Sequence, residues 1–325
     1  MIPLFKPPKL RGKYLTGVLE SGWLTTGEEG ERLKGAVAEK FNWEQDCLVL
    51  TSSATAGCQA ILDLVKYEGF SKCWVRETFG GIYSTVCHAG LARTPIQMAD
   101  CAIFTDVGGY GGKDCFLDDD RRFGGSVAVV DICHSWEARR DGDRAYRFQF
   151  ASFYPTKLVP GAEGGVVFCK DLNDARRLET LVHCGFGPRW RRGSVAPMRF
   201  NGGRKAGMTD VQAALNREAL EHFESYKGAI AESWGMLGGE AYVRGVLVKE
   251  QEIPYLFQIG CNPCKLETVQ KIFEEAGIAS AWNFPCLPWL TLPCYPGMTR
   301  GEAQTIMSKA EEIMNGIGAT IYTGA

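Results

Sequence analysis

Residues 148 to 165 read FQFASFYPTKLVPGAEGG and hold a single lysine, Lys157. Phe148, Phe150 and Phe153 predict a buried strand. Pro155 and Pro160 stop any regular element at the lysine, and Gly161, Gly164 and Gly165 then turn the chain into VVFC, a second apolar strand. An amine held in such a bend is partly stripped of water, which lowers its pKa and favours the neutral form. That is the requirement for Schiff-base chemistry. The competing role is a loop lysine reaching solvent.

Three other stretches carry candidate chemistry. SVAVVDICHSWEA (126 to 138) predicts a buried strand ending on Asp131, with His134 three residues on. A carboxylate at that end of a strand lies where open α/β sheets bind ligands, although capping a following helix is a common alternative. CLVLTSS runs straight into ATAGCQAILDLVKY, a strand feeding a helix through Ala54, Thr55, Ala56 and Gly57. Its amides and macrodipole make an anion site or, equally, a routine start capped by Ser53 or Thr55. Between Glu179 and Asp210 there is no carboxylate, but there are Arg189, Arg191, Arg192, Arg199, Arg204 and Lys205. This segment fits a phosphate-bearing substrate, a solvated basic loop, or nucleic-acid phosphates.

Two motifs carry less. GGYGGK fails the GxxxxGK[ST] spacing, because Val107 stands where the first glycine should be and Asp114 follows the lysine. Cys261 and Cys264 form an isolated CNPC with no second pair at zinc spacing, so a turn is expected and no metal.

The elements that must position these residues alternate between strand and helix patterns from 47 to 215, which implies an α/β architecture. Helices are expected up to Gly22, from Glu28 to Phe41, from Thr209 to His222 and from Arg300 to Ile317, with a strand at YLFQIG. Residues 101 to 125 read as a turn-rich connection. The 325 residues allow two domains, here 1–215 and a smaller α+β unit at 216–325. Hydrophobic content of 45% and a formal net charge of −2 give no global basic excess for nucleic acid or an anionic membrane. No apolar run approaches the length of a transmembrane helix, and MIPLFKPPKLRGKYL lacks a signal-peptide pattern. The expected location is the cytoplasm, where the thirteen cysteines stay reduced.

VVDICHSWEA followed by FASFYPTKLVPGAEGGVVF resembles the DegT-like sugar aminotransferases, pyridoxal-phosphate enzymes of fold type I. LESGWLTTGEEGERL, TSSATAGCQAIL, ETFGGIYST, MTDVQAAL and LTLPCYPGMTRGEAQTI resemble further family motifs in the same order, so the likeness spans nearly the whole chain. It implies a mainly parallel seven-stranded sheet between helices, a small C-terminal α+β domain, and a homodimer with shared active sites. Lys157 would hold pyridoxal 5'-phosphate as an internal aldimine and shuttle a proton, and Asp131 would pair with the ring nitrogen. Phe79 would stack on the ring, Ala54, Thr55 and Ser152 would bind the phosphate, and His134 would lie near the phenolic oxygen. The chain departs from the family in several places. Ala54 replaces a usual glycine. Lys205 and Gly207 stand near a usual asparagine that reaches the partner's phosphate, so Lys205 is the substitute contact. The chain is shortened between Gly90 and Val127 and around SAWNFPCLPWLTLPC.

The implied activity moves an amino group from glutamate or a similar amino acid to a keto-sugar, nucleotide-linked to suit the basic segment. The alternatives are decarboxylation, elimination or amination of a non-sugar ketone with the same cofactor, and a non-catalytic regulator on the same scaffold.

Overall fold

The computed structural model describes residues 1–75, 80–106, 127–138, 146–186, 202–244, 246, 248, 255–281 and 289–316. Contacts divide the chain into two compact units, one of Lys9–Asp106 with Gly112–Phe223, the other of Met1–Pro8, Val107–Gly111 and Glu224–Ala325.

The larger unit is built on seven strands: β1 (Leu48–Thr51), β2 (Lys72–Val75), β3 (Ala92–Arg93), β4 (Cys101–Thr105), β5 (Val127–Asp131), β6 (Phe148–Ser152) and β7 (Gly165–Cys169). Their order is β1-β7-β6-β5-β4-β2-β3. All pairings are parallel except those of β7, which runs against both β1 and β6. This is the mainly parallel sheet the family resemblance implied. β4, β6 and β7 are buried at every position, as continuous apolar strands covered on both faces should be. The expectation of a connection from 101 onward is therefore corrected at its start, since CAIFT is a central strand.

Helices α1 (Leu15–Ser21), α2 (Glu28–Phe41), α3 (Ala54–Tyr67), α4 (Gly80–His88), α5 (Leu172–Val182) and α6 (Asp210–Glu221) flank the sheet sequence. α1 ends at Gly22, whose left-handed φ of 66° suits a residue with no Cβ. α3 sinks Cys58, Ile61, Leu62 and Val65 into one buried cluster with Val167 and Cys169 of β7 and Leu178 and Leu181 of α5. Each such aliphatic side chain contributes about 1.5–3 kcal/mol on burial. α5 starts at Asp171, whose carboxylate accepts the Asp174 N–H. α6 has a full capping box between Thr209 and Gln212.

In the smaller unit, β8 (Phe257–Gly260) and β9 (Trp289–Leu292) form an antiparallel pair. α8 (Leu266–Glu275) and α9 (Arg300–Gly316) bury Val269, Phe273, Ile306 and Ala310. Ile2 joins this unit through its N–H to Gly277 O at 2.7 Å and its carbonyl to Ala279 N–H at 3.0 Å. α7 (Phe223–Val243) has no counterpart in the sequence expectations, because Gly228, Gly235, Gly238 and Gly239 blur its periodicity. CNPC lies at a strand end and short 3-10 turn, with both thiols free, and no metal-binding group of residues occurs among the described residues.

Candidate active site

Asp131 ends β5, in register with Thr105 of β4 and Phe150 of β6. It is only 7% exposed. Its Oδ1 accepts the Cys133 N–H at 2.9 Å. Burial pushes this carboxyl above its ordinary value, opposed by the Cys133 hydrogen bonds and by the charge of Lys157. The lysine's charge is therefore felt at the carboxylate.

Ser152 ends β6 opposite Gly165 of β7, and Gly165 in turn faces Thr51 at the end of β1. One row across the sheet thus joins three chain segments beside the Asp131 strand. Ser152 Oγ accepts the Tyr154 N–H at 3.2 Å, which starts the bend. Lys157 follows, half-buried, its N–H bonded to Tyr154 O at 2.8 Å. The bend is held from outside by Asn216 of α6. Its Oδ1 accepts the Ala162 N–H at 2.9 Å, and its Nδ2 donates to Glu163 O at 2.8 Å. Glu163 sits at φ 68°, uncommon for a residue with a side chain, so this clamp fixes a turn the chain would not hold unaided. At Gly164, with φ 132°, a Cβ would lie 2.6 Å from Met208 Cε.

The start of α3 reaches the same row. Ser53 caps the helix, its Oγ accepting the Ala56 N–H at 3.1 Å, so of the two caps the sequence allowed, Ser53 is used. The first amides, Ala54 and Thr55, have no acceptor within the helix and lie at its positive end. A Cβ on Gly165 would lie 2.6 Å from Ala54 N, so only glycine lets β7 pass this close to the helix start. Ala54 is buried and Thr55 exposed. The Ala206 carbonyl accepts the Ser52 N–H at 2.7 Å, which brings the segment carrying Lys205 alongside. Lys205 is exposed and bridges His183. Arg204 pairs with Asp63 at 3.2 Å. A cleft of about 470 Å³ opens here, lined by Ser53, Thr55, Ala56, Thr85 and Arg204 among others.

His134 is half-buried in the turn after β5. Phe79 and Arg189, Arg191, Arg192 and Arg199 lie outside the described residues. Sequence reasoning passed over four residues that shape the site. Cys133 bonds Asp131. Trp136 donates its indole N–H to Ser152 O at 3.1 Å and packs on Phe153 at 4.8 Å between centroids. Asn216 was signalled only as a polar residue in the apolar stripe of α6. Asp210 accepts N–H groups from Gly27, Glu29 and Gly30, capping α2 in place of the side chain that Gly27 lacks.

The donor set suits pyridoxal phosphate. A buried carboxylate would suit a protonated ring nitrogen, a half-buried amine an aldehyde carbon, and helix amides with Ser152 Oγ a phosphate.

Residues 125–239 match the model described as the DegT/DnrJ/EryC1/StrS aminotransferase family. Over that segment, about a third of its length, the chain is similar to this family. It is a pyridoxal-phosphate-dependent aminotransferase, the enzyme class and cofactor that the motifs implied. The same fold occurs in the aminotransferase TlmJ from Streptoalloteichus hindustanus, at a TM-score of 0.81 and 15% identity, covering 98% of this chain and 100% of that one. It occurs in the sugar aminotransferase CalS13 from Micromonospora echinospora, at 0.77 and 16%, covering 96% and 100%. NtdA from Bacillus subtilis, solved with bound cofactor PMP, is similar at 0.75 and 15%, covering 93% and 80%. No helix among the described residues is long and apolar enough to cross a membrane.

Proposed function

We propose that this chain moves an amino group from glutamate to a nucleotide-linked keto-sugar, with Lys157 as the amine that bonds the cofactor's aldehyde carbon. The observation that carries the reading is the convergence of Asp131, Ser152, Lys157 and the α3 start at one end of the sheet. Likeness to CalS13 supports a sugar as acceptor. The run from Arg189 to Lys205 supplies charge for a diphosphate.

When bound, pyridoxal phosphate supplies an electron sink for the charge that develops on the substrate carbon. Asp131 keeps a proton on the ring nitrogen, which deepens that sink. Lys157 Nζ would hold and move the proton taken from the substrate carbon. Ser152 Oγ, the Ala54 amide and Thr55 would hold the phosphate, Phe79 would stack on the ring and His134 would serve the phenolic oxygen. Lys205 reaches the phosphate held by a second copy of the chain, so the working form is a homodimer in the cytoplasm.

The test is an absorbance spectrum of purified protein before and after glutamate, with Lys157→Ala alongside. A visible band that moves to the near-ultraviolet with glutamate, and is altered in the variant, is expected. A band indifferent to glutamate rejects that donor, and a band that glutamate shifts only transiently points to decarboxylation or elimination. Double replacement of Arg191 and Arg192 by alanine should impair only phosphorylated acceptors; unchanged kinetics would remove the nucleotide link.

A further inference from the structure

Two segments would hold the two ends of the cofactor, the α3 start its phosphate and the Lys157 bend its aldehyde carbon. Both are tied to α6. Gln212, in the first turn of that helix, donates its Nε2 to Ser52 O at 3.3 Å, directly ahead of the Ser53 cap of α3. The other backbone group of Ser52, its N–H, goes to Ala206 O at 2.7 Å, in the lead into the same helix. Asn216, four residues on from Gln212, accepts the Ala162 N–H and donates to Glu163 O, beyond the lysine. Residues four apart lie one above the other on a helix, about 6 Å along its axis. Asn216 is fully buried, and its Nδ2 also reaches Met208 Sδ at 3.5 Å.

We propose that Gln212 is a positioning residue, joining with Asn216 to make α6 a spacer that fixes the distance between the start of α3 and the Lys157 bend. This rests on the pyridoxal-phosphate reading of the site. A ligand held at both ends loses affinity when its two holders drift apart, because one end is then seated only by unseating the other. The β1–β7–β6 row already links the two holders through the sheet. α6 adds a second link, made by side chains. Gln212 splits its amide between two tasks. Its Oε1 accepts the Thr209 N–H and hydroxyl, each at 3.1 Å, and completes the capping box, while Nε2 makes the tether to Ser52. Cap and tether are therefore separable, since glutamate keeps the acceptor and removes the donor.

The experiment uses the full chain, freed of cofactor, as wild type, Gln212→Glu, Asn216→Ala and the double variant. Dissociation constants are measured for pyridoxal phosphate and for pyridoxal, which lacks the phosphate. Gln212→Glu should weaken pyridoxal phosphate about fivefold, the loss of one hydrogen bond. It should leave pyridoxal binding and the thermal midpoint unchanged, because a ligand with one anchor does not feel the spacing. The double variant should bind pyridoxal phosphate no more weakly than Asn216→Ala alone, because a spacer released at either end no longer spaces. Losses that multiply would mean two independent supports and would overturn the proposal, as would unchanged pyridoxal phosphate affinity in Gln212→Glu. Equal weakening of pyridoxal would mark a general loosening and overturn it too. A wild-type protein that binds no pyridoxal phosphate overturns the functional reading and this proposal together.

Discussion

The two ends of the β5–β6 strand pair hold charge in opposite ways. Arg147, just before β6, is clamped by carboxylates on two helices. It donates to both oxygens of Glu68 and both of Asp174 at 2.6 Å, and Arg177 also pairs with Glu68. Burial works to raise Glu68, but hydrogen bonds from Arg147 and Arg177 hold it below its ordinary value. At the other end, burial raises Asp131 and its Cys133 and Lys157 counterparts do not bring it back down. One end stores stability in a closed ion network. The other keeps a buried carboxylate in a state that costs stability.

Predictions that break or sharpen this contrast run from large to small. Lys157→Ala should lower transamination by at least about 10³-fold while leaving the thermal midpoint of cofactor-free protein in place. Asp131→Asn should cost roughly 10²-fold in turnover and raise the stability of the cofactor-free protein at neutral pH. The sign follows from the raised carboxyl. Its cost is present above the folded value and absent below the ordinary 3.8, so the gain in denaturant midpoint should shrink as pH falls. Arg147→Met should destabilise by about 3 kcal/mol, seen in urea unfolding, with activity per folded molecule unchanged. A large loss of turnover in that variant would erase the division of labour. Glu68, held low, contributes stability above the ordinary 4.5 and loses it as pH falls through the folded value. Acid unfolding should therefore begin at higher pH in Glu68→Gln. Asn216→Ala should cost about 1–2 kcal/mol and speed cofactor release by loosening the lysine bend.

What could be seen in the sequence was what is local. Lys157 stood out because its strand, proline bend and glycines are contiguous, and Asp131 because it terminates an apolar run. The helix from Glu28 to Phe41 was bounded to the residue because its stripe is regular. β4 was missed because CAIFT adjoins a long polar stretch, and α7 because its glycines hide its period. The clamps were hidden for a different reason. Asn216 and Asp210 act on backbone amides far away in the chain, and nothing in their neighbourhood shows which turn they hold. The Ser53 cap was undecidable against Thr55 until the backbone direction was known.

The reversed strand β7 has a consequence for how the molecule is made. β1 leaves the ribosome early, yet Leu48 pairs with Phe168, and Thr51 with Gly165 and Gly207, all much later in the chain. The start of α3 and the lysine bend are joined through that late pairing. Such distant contacts pay their loop-closure entropy before any reward. A nascent chain stopped before residue 165 can form helices and the β2–β4 pair, but the ends of β1 and β6 are not yet joined through β7.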